Sequence, residues 1–215
     1  MLKHEHRVKE NVETPKQQET TGNQEQGTNR VSPVGAILAG GRSSRMGTNK
    51  ALIPLHGKPM IAWTIETLQS VFDHVFIVAD DGSKYASWDV RVVPDIIKDS
   101  GPLGGIHAAL TTAAPAPVCV MPCDMPYVSA ELLKELVGKE SAHPVRILWD
   151  GIHRYPLCGL YQQSVLPVIT ARLRQRQLRM TDLLAEVGAE LINPLENPRF
   201  HATMLANVNS PHDLE

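Results

Sequence analysis

Apolar residues in this chain gather into short blocks set apart by polar and glycine-broken turns. Val34 to Leu38 is the first block, brief and sharply bounded, as a buried strand would be. Beyond a polar loop, Ile61, Ile65, Leu68 and Phe72 recur at helical spacing. Pro59 precedes them and suits the first position of a helix, having no N–H to leave unpaired. Val75 to Ala79 is a second strand-like block, closed by the turn signal Asp80-Asp81-Gly82. Strand, loop, helix and strand in that order predict a βαβ unit with a right-handed crossover. The alternation continues through a third strand at Val90 to Val93, a glycine-rich stretch from Gly101 opening a helix that runs to about Ala113, and a fourth strand at Pro117 to Met121. Leu132, Leu133, Leu136 and Val137 then share one side of another helix. This succession predicts a three-layer α/β fold, a mostly parallel sheet with helices on both faces.

The rhythm changes near Val145. Val145 to Trp149 and Ile152 to Tyr161 flank Asp150-Gly151, which predicts a hairpin with a tight primed turn. A helix from about Gln163 to Arg174 turns Val165, Leu166, Ile169 and Leu173 inward, and Arg172, Arg174, Arg176 and Arg179 decorate its end as a solvated face. Thr181 is placed to cap a shorter helix, and Ala189 to Asn193 reads as a last strand.

No such blocks occur before residue 31. Met1 to Arg30 has Met1, Leu2, Val8 and Val12 as its apolar side chains and no aromatic residue, too little to offset the entropy of ordering it. The expectation is a disordered polar tail over 1–30 and a single domain over 31–215. The five acids and five bases of the tail cancel, which argues against a nucleic-acid arm or a membrane anchor. A net charge of -2 gives no global field to attract DNA or RNA. No apolar run approaches the ~20 residues that span a bilayer. Cys119, Cys123 and Cys158 are odd in number, apolar in setting and not spaced as a zinc site. These features predict a cytoplasmic protein with reduced core cysteines.

In open α/β sheets, ligands sit beyond the carboxyl ends of the strands. Three candidate features fall there: Gly40-Gly41 after the first strand, Asp95 after the third and Asp124 after the fourth. The first loop is notable for charge, since it carries Arg42, Arg45 and Lys50 while no Asp or Glu occurs from Val34 to Ile65. A cation-bearing loop facing a carboxylate suits a nucleotide with its divalent cation, the loop N–H groups and lysine taking phosphate charge and a hard carboxylate oxygen holding Mg2+. Neither G-x-x-x-x-G-K-[ST] nor G-x-G-x-x-G is present there. His107, His153 and the three tryptophans read as structural or exposed side chains.

Leu38-Ala39-Gly40-Gly41-Arg42-Ser43-Ser44-Arg45-Met46-Gly47, followed by Lys50, resembles the signature loop of nucleotidyltransferases that couple an NTP to a phosphorylated acceptor. Within that superfamily the chain is most similar to the molybdenum cofactor guanylyltransferases. Four later segments agree in order and spacing: Asp95 ahead of Gly101-Pro102-Leu103, Cys123-Asp124-Met125-Pro126, Pro156-Leu157-Cys158-Gly159-Leu160-Tyr161, and Asn207-Val208-Asn209-Ser210-Pro211. The resemblance covers about Val34 to Asp213 and implies a Rossmann-like, nucleotide-diphospho-sugar-transferase-like fold.

It also implies a reaction, transfer of GMP from GTP to the phosphate of molybdopterin with release of pyrophosphate. By the family pattern Leu38, Ala39, Gly40 and Gly41 contact the nucleotide, Asp95 helps bind it, and Arg45 and Lys50 neutralise the triphosphate. Asp124 holds Mg2+, and Asn207 and Asn209 lie on the acceptor side. The implied partners are GTP, molybdopterin, and other cofactor-biosynthesis proteins or molybdoenzymes that accept the product. Position 49 departs from the pattern, with Asn where many relatives carry an acid, and the long tail is unusual. The residues alone leave open a transferase using CTP or a sugar-phosphate acceptor, and a nucleotide- or pterin-binding accessory protein without turnover.

Overall fold

The computed structural model describes residues 31–40, 49–138 and 141–208. The central sheet has seven strands in the order β5-β4-β1-β6-β8-β7-β9. These are β1 (Val34–Leu38), β4 (Val75–Val78), β5 (Arg91–Val93), β6 (Val118–Pro122), β7 (Val145–Trp149), β8 (Arg154–Tyr161) and β9 (Glu190–Ile192). β8 is antiparallel to both neighbours, whereas every other pairing is parallel, so six strands share one direction. A small antiparallel pair, β2 (Pro54–Leu55) and β3 (Lys58–Pro59), stands apart from this sheet.

Helices cover both faces, because successive side chains of the central strands point to opposite sides and both sides are apolar. On one face α1 (Met60–Gln69) and α3 (Ala130–Gly138) bring Ile61, Leu68, Leu132 and Leu136 onto Ile37, Ile77 and Met121. On the other, α2 (Gly101–Ala113), α4 (Leu166–Arg174) and α5 (Met180–Glu186) pack Ile106, Ile169 and Leu183 onto Ala36, Phe76 and Val120. The expected three-layer α/β fold is the one observed. Pro59 stands just before α1, at φ -57 and ψ 142, so the first helical residue is Met60.

The antiparallel pair near residue 150 forms, but not through a two-residue turn. Trp149 pairs with Arg154, leaving Asp150 to His153 as the loop. Of the Asp-Gly dipeptide, Gly151 takes positive φ (94°) and Asp150 does not. Asp150 instead organises the turn through its side chain. Its carboxylate accepts the N–H groups of Ile152 (2.8 Å) and His153 (2.6 Å) and the hydroxyl of Tyr155 (2.8 Å). These bonds, the backbone N–H of His153 foremost, hold its pKa well below the usual carboxylate range. Further along, Ile147 pairs with Gly159 while Leu148 pairs with Tyr155, so Pro156 to Cys158 bulge out of the ladder. A Cβ on Gly159 would lie 2.5 Å from the Arg146 carbonyl, which explains glycine at the resumption of pairing.

Two expectations for the C-terminal helices are corrected. Arg179, not Thr181, precedes α5, and Thr181 lies inside it. Arg172 is buried rather than solvated. Asp182 and Glu186 of α5 reach back to it, Glu186 at 2.7 Å, so a charge that looked like surface decoration ties two helices together. No helix among the described residues is long and apolar enough to cross a membrane.

Candidate active site

The strand order fixes where a ligand can enter. From β1 the chain moves outward through β4 to β5, then returns to β6 on the other side of β1. The connections leaving β1 and β6 therefore diverge, and a crevice opens at their carboxyl ends. A cavity of ≈ 640 Å³ occupies that position. It is lined by the residues after β1 (Leu38 to Gly40 and Asn49 to Ala51), after β4, after β5 and after β6 (Pro122 to Asp124). Another cleft, of ≈ 710 Å³, lies at the amino edge of the sheet among residues such as Val34, His74 and Arg91, away from the predicted site residues.

Lys50 opens a single 3₁₀ turn, Lys50–Leu52, that is capped by Asn49. The Asn49 side chain accepts the N–H of Ala51 at 3.2 Å and donates to the Tyr85 hydroxyl at 3.2 Å. Tyr85, buried at the end of a second 3₁₀ turn (Gly82–Tyr85), donates its own proton to the Ala39 carbonyl at 3.1 Å. Burial raises the pKa of its phenol, so it is a neutral donor at physiological pH.

Asp124 stands two residues past the end of β6. Burial raises its pKa, and Lys50 acts in the opposite direction as the nearby positive charge. The two residues thus meet electrostatically although they are remote in sequence. Asp95 is raised as well, first by burial and then by repulsion from Asp80, whose carboxylate pairs with Lys98 at 2.5 Å. Gly104 lets the first turn of α2 approach this loop, since a Cβ there would sit 2.9 Å from Ser100 Cβ and 3.2 Å from the Ile97 carbonyl. Cys123 is a half-buried thiol pushed up to about 12 by desolvation, which makes it inert rather than nucleophilic.

Of the predicted residues, Leu38, Ala39, Gly40, Lys50, Asp95 and Asp124 all line the cavity. Little backbone at the first two is free for a ligand, because the Ala39 N–H is held by the Val78 carbonyl (3.0 Å) and the Leu38 carbonyl by the Cys123 N–H (3.3 Å). Gly40 is exposed, and its backbone is the freer contact. Asn207 does not line the cavity, but the next residue, Val208, donates its N–H to the Asp124 carbonyl at 2.8 Å and so keeps Asn207 beside the site. Gly41, Arg45 and Asn209, like the 1–30 segment, lie outside the described residues.

Sequence reasoning gave Tyr85 and Leu157 no site role and read Arg176 within a solvated arginine face, with contact to the pterin phosphate as the alternative; all three line the cavity. Tyr85 had one signal, an aromatic residue in the polar stretch from Asp80 to Asp89. Leu157 enters because of the β8 bulge, and Arg176 because the chain turns there at φ 58. Carboxylates outnumber cations among the described lining residues, with Asp80, Asp81, Asp95, Asp99 and Asp124 against Lys50, Lys84 and Arg176.

No group of three or more metal-binding side chains occurs among the described residues. The donors that line the cavity are carboxylate oxygens, with the Cys123 thiol protonated, and hard oxygens fit Mg2+ better than a softer ion. Mg2+ is commonly held by one or two carboxylates, with substrate phosphates and water completing its shell. Asp124 offers a hard oxygen that burial has stripped of part of its hydration.

Comparison with known proteins bears on the family and the fold. Residues 35–190 match a family described as the MobA-like NTP transferase domain. A Pelotomaculum thermopropionicum protein named probable molybdenum cofactor guanylyltransferase is 37% identical over 187 residues, covering 86% of this chain and 91% of the relative. A molybdenum cofactor guanylyltransferase of Vibrio parahaemolyticus is 34% identical over 182 residues, with 83% and 91% covered. Among solved structures, molybdopterin-guanine dinucleotide biosynthesis protein A from Archaeoglobus fulgidus shares the fold at a TM-score of 0.72 and 24% identity, over 84% of this chain and 94% of that one.

Proposed function

This chain belongs to the MobA-like NTP transferase family, and from that premise we propose that it transfers GMP from GTP to the terminal phosphate of molybdopterin. The observation that carries this reading is the meeting of Lys50 and Asp124 at the crevice between β1 and β6. One is a cation for the leaving pyrophosphate and the other a carboxylate for the metal that accompanies the α-phosphate.

In the proposed reaction an oxygen of the acceptor phosphate forms a bond to the α-phosphorus of GTP. The bond from that phosphorus to the bridging oxygen breaks, and its electron pair leaves with pyrophosphate. The attacking phosphate is already ionised near neutral pH, so the chain need not supply a general base. Its contribution is alignment and charge neutralisation. Lys50, fixed on a capped turn, offsets charge that builds on the leaving group. Asp95 and the freer Gly40 backbone orient the nucleoside end. By resemblance alone, Arg45 and Gly41 are assigned to phosphate binding and Asn207 and Asn209 to the acceptor. When bound at Asp124, Mg2+ supplies Lewis-acid polarisation of the α-phosphate.

Pyrophosphate release tests the proposal. GTP, CTP, UTP and ATP are each supplied with Mg2+ and molybdopterin, and release is expected with GTP. Release with CTP instead overturns the base assignment. Binding of GTP without any release, under conditions in which a relative turns over, identifies a binding protein.

A further inference from the structure

One buried hydroxyl holds both ends of the loop between Gly40 and Asn49. Tyr85 touches the β1 side through the Ala39 carbonyl (3.1 Å) and the far side through Asn49 (3.2 Å). The direction of each bond is forced. The Ala51 N–H can only donate, so Asn49 must turn its Oδ1 toward it and its NH2 group toward Tyr85. The Ala39 carbonyl can only accept, so the tyrosine proton lies there. The result is a one-way relay, from the Asn49 amide through the phenol to Ala39.

Two features separate this relay from ordinary packing. Tyr85 comes from a third segment of chain, the turn after β4, which Asp81 caps at its own start. A phenylalanine would fill the same space, so the hydroxyl answers to its two partners alone. Asparagine at position 49 is likewise specific. Aspartate would cap Ala51 equally well, but it could not donate to Tyr85. The single phenol proton would then be contested by two acceptors, and the tie to Ala39 would weaken.

We propose that Asn49 and Tyr85 are positioning residues for the nucleotide phosphates, fixing the span between the two ends of the loop and so the place of Lys50. The proposal rests on the reading that this cleft holds a nucleoside triphosphate. Neither residue needs to touch the reacting atoms. They act through Lys50.

The test uses full-length wild type, Tyr85→Phe and Asn49→Ser. Serine keeps a cap for Ala51 and adds no charge, but is too short to reach Tyr85. Calorimetry measures binding of GTP and of GMP, which lacks the pyrophosphate that Lys50 faces, and thermal melts report the fold. Affinity for GTP is expected to fall about 10-fold in both variants, the scale of one lost hydrogen bond, with GMP affinity unchanged. Unchanged GTP affinity in both variants overturns the proposal. A parallel loss of GTP and GMP also overturns it, since that marks a general loosening of the cleft. If Tyr85→Phe fails to fold, Asn49→Ser decides alone. Should the wild type prefer another base, the guanine assignment falls, and the triphosphate-to-monophosphate ratio read with that base still decides the relay.

Discussion

Replacing Asp124 with asparagine removes a charge and almost no volume from the carboxyl end of β6, and stability and activity should then move in opposite directions. Burial raises the pKa of Asp124 above its ordinary 3.8, with Lys50 offsetting part of the effect. The unfolded chain therefore gives up this proton more readily than the folded one. Metal-free wild type gains most from this carboxyl at low pH, where both states hold the proton. It loses that contribution as pH rises from 3.8 through the folded value. An uncharged amide at this position carries no such penalty.

Because the carboxylate is only partly buried and has Lys50 nearby, the gain from Asp124→Asn in EDTA at pH 7 is about 1 kcal/mol, or ~2–4 °C in Tm for a chain of this size. The gap should narrow as pH falls toward 4. With Mg2+ and GTP at about 100 times the dissociation constant, wild type is stabilised by ~2.7 kcal/mol, and the variant by much less. Turnover should fall by about 10³-fold or more, since several kcal/mol of charge stabilisation is lost at ~1.4 kcal/mol per decade. Melting curves with and without metal, beside a pyrophosphate assay, give every quantity. A variant less stable than wild type in EDTA, or one retaining a tenth of the turnover, refutes the reasoning.

Three other substitutions probe separate parts of the account. Gly159→Ala drives a Cβ to 2.5 Å from the Arg146 carbonyl, so stability should drop by about 2–3 kcal/mol; a Tm within a degree of wild type contradicts the close β7–β8 seam. Arg146 is buried, donates to the Leu136 carbonyl at 2.6 Å and pairs with Glu190 at 2.9 Å. Arg146→Ala should cost about 3 kcal/mol and Arg146→Met clearly less, because removing one partner strands the other whereas an apolar replacement refills the space; equal urea midpoints for the two contradict this. Lys50→Gln should weaken GTP binding by about 10- to 100-fold, the range for a charged hydrogen bond, and an unchanged GTP affinity removes its phosphate contact.

Where local rules decide the structure, the sequence reading and the fold coincide. Val34 to Leu38 is buried on both faces, so an uninterrupted apolar run marks the strand without help from its surroundings. Lys50 and Asp124 could be brought together on paper because strand ends are ligand sites in such sheets. The failures share a different cause. Asp150 builds its loop with side-chain bonds to Ile152, His153 and Tyr155, and the dipeptide Asp-Gly does not reveal them. Arg172 is buried because Asp182 and Glu186 return against it from the next helix. Tyr85 meets Ala39 across 46 positions and Asn49 across 36, and no periodicity connects residues so far apart.

The charge pattern of the cleft bears on how the metal would arrive. Read from the loop alone, the site is cationic, yet the described walls are carboxylate-rich. Under the proposed reading these halves serve different parts of one ligand: Lys50 takes phosphate charge, while carboxylates after β4 and β5 accept hydroxyl groups from the nucleoside end. Asp124 lies where the two halves meet. Under the proposed reading Asp124 is a single hard carboxylate, and a divalent ion held by one carboxylate needs phosphate oxygens and water to complete its shell. Mg2+ would therefore enter with the nucleotide rather than ahead of it. The burial that makes Asp124 costly to ionise in the empty protein then becomes useful, because a partly desolvated carboxylate gains more from a bound cation than a fully hydrated one.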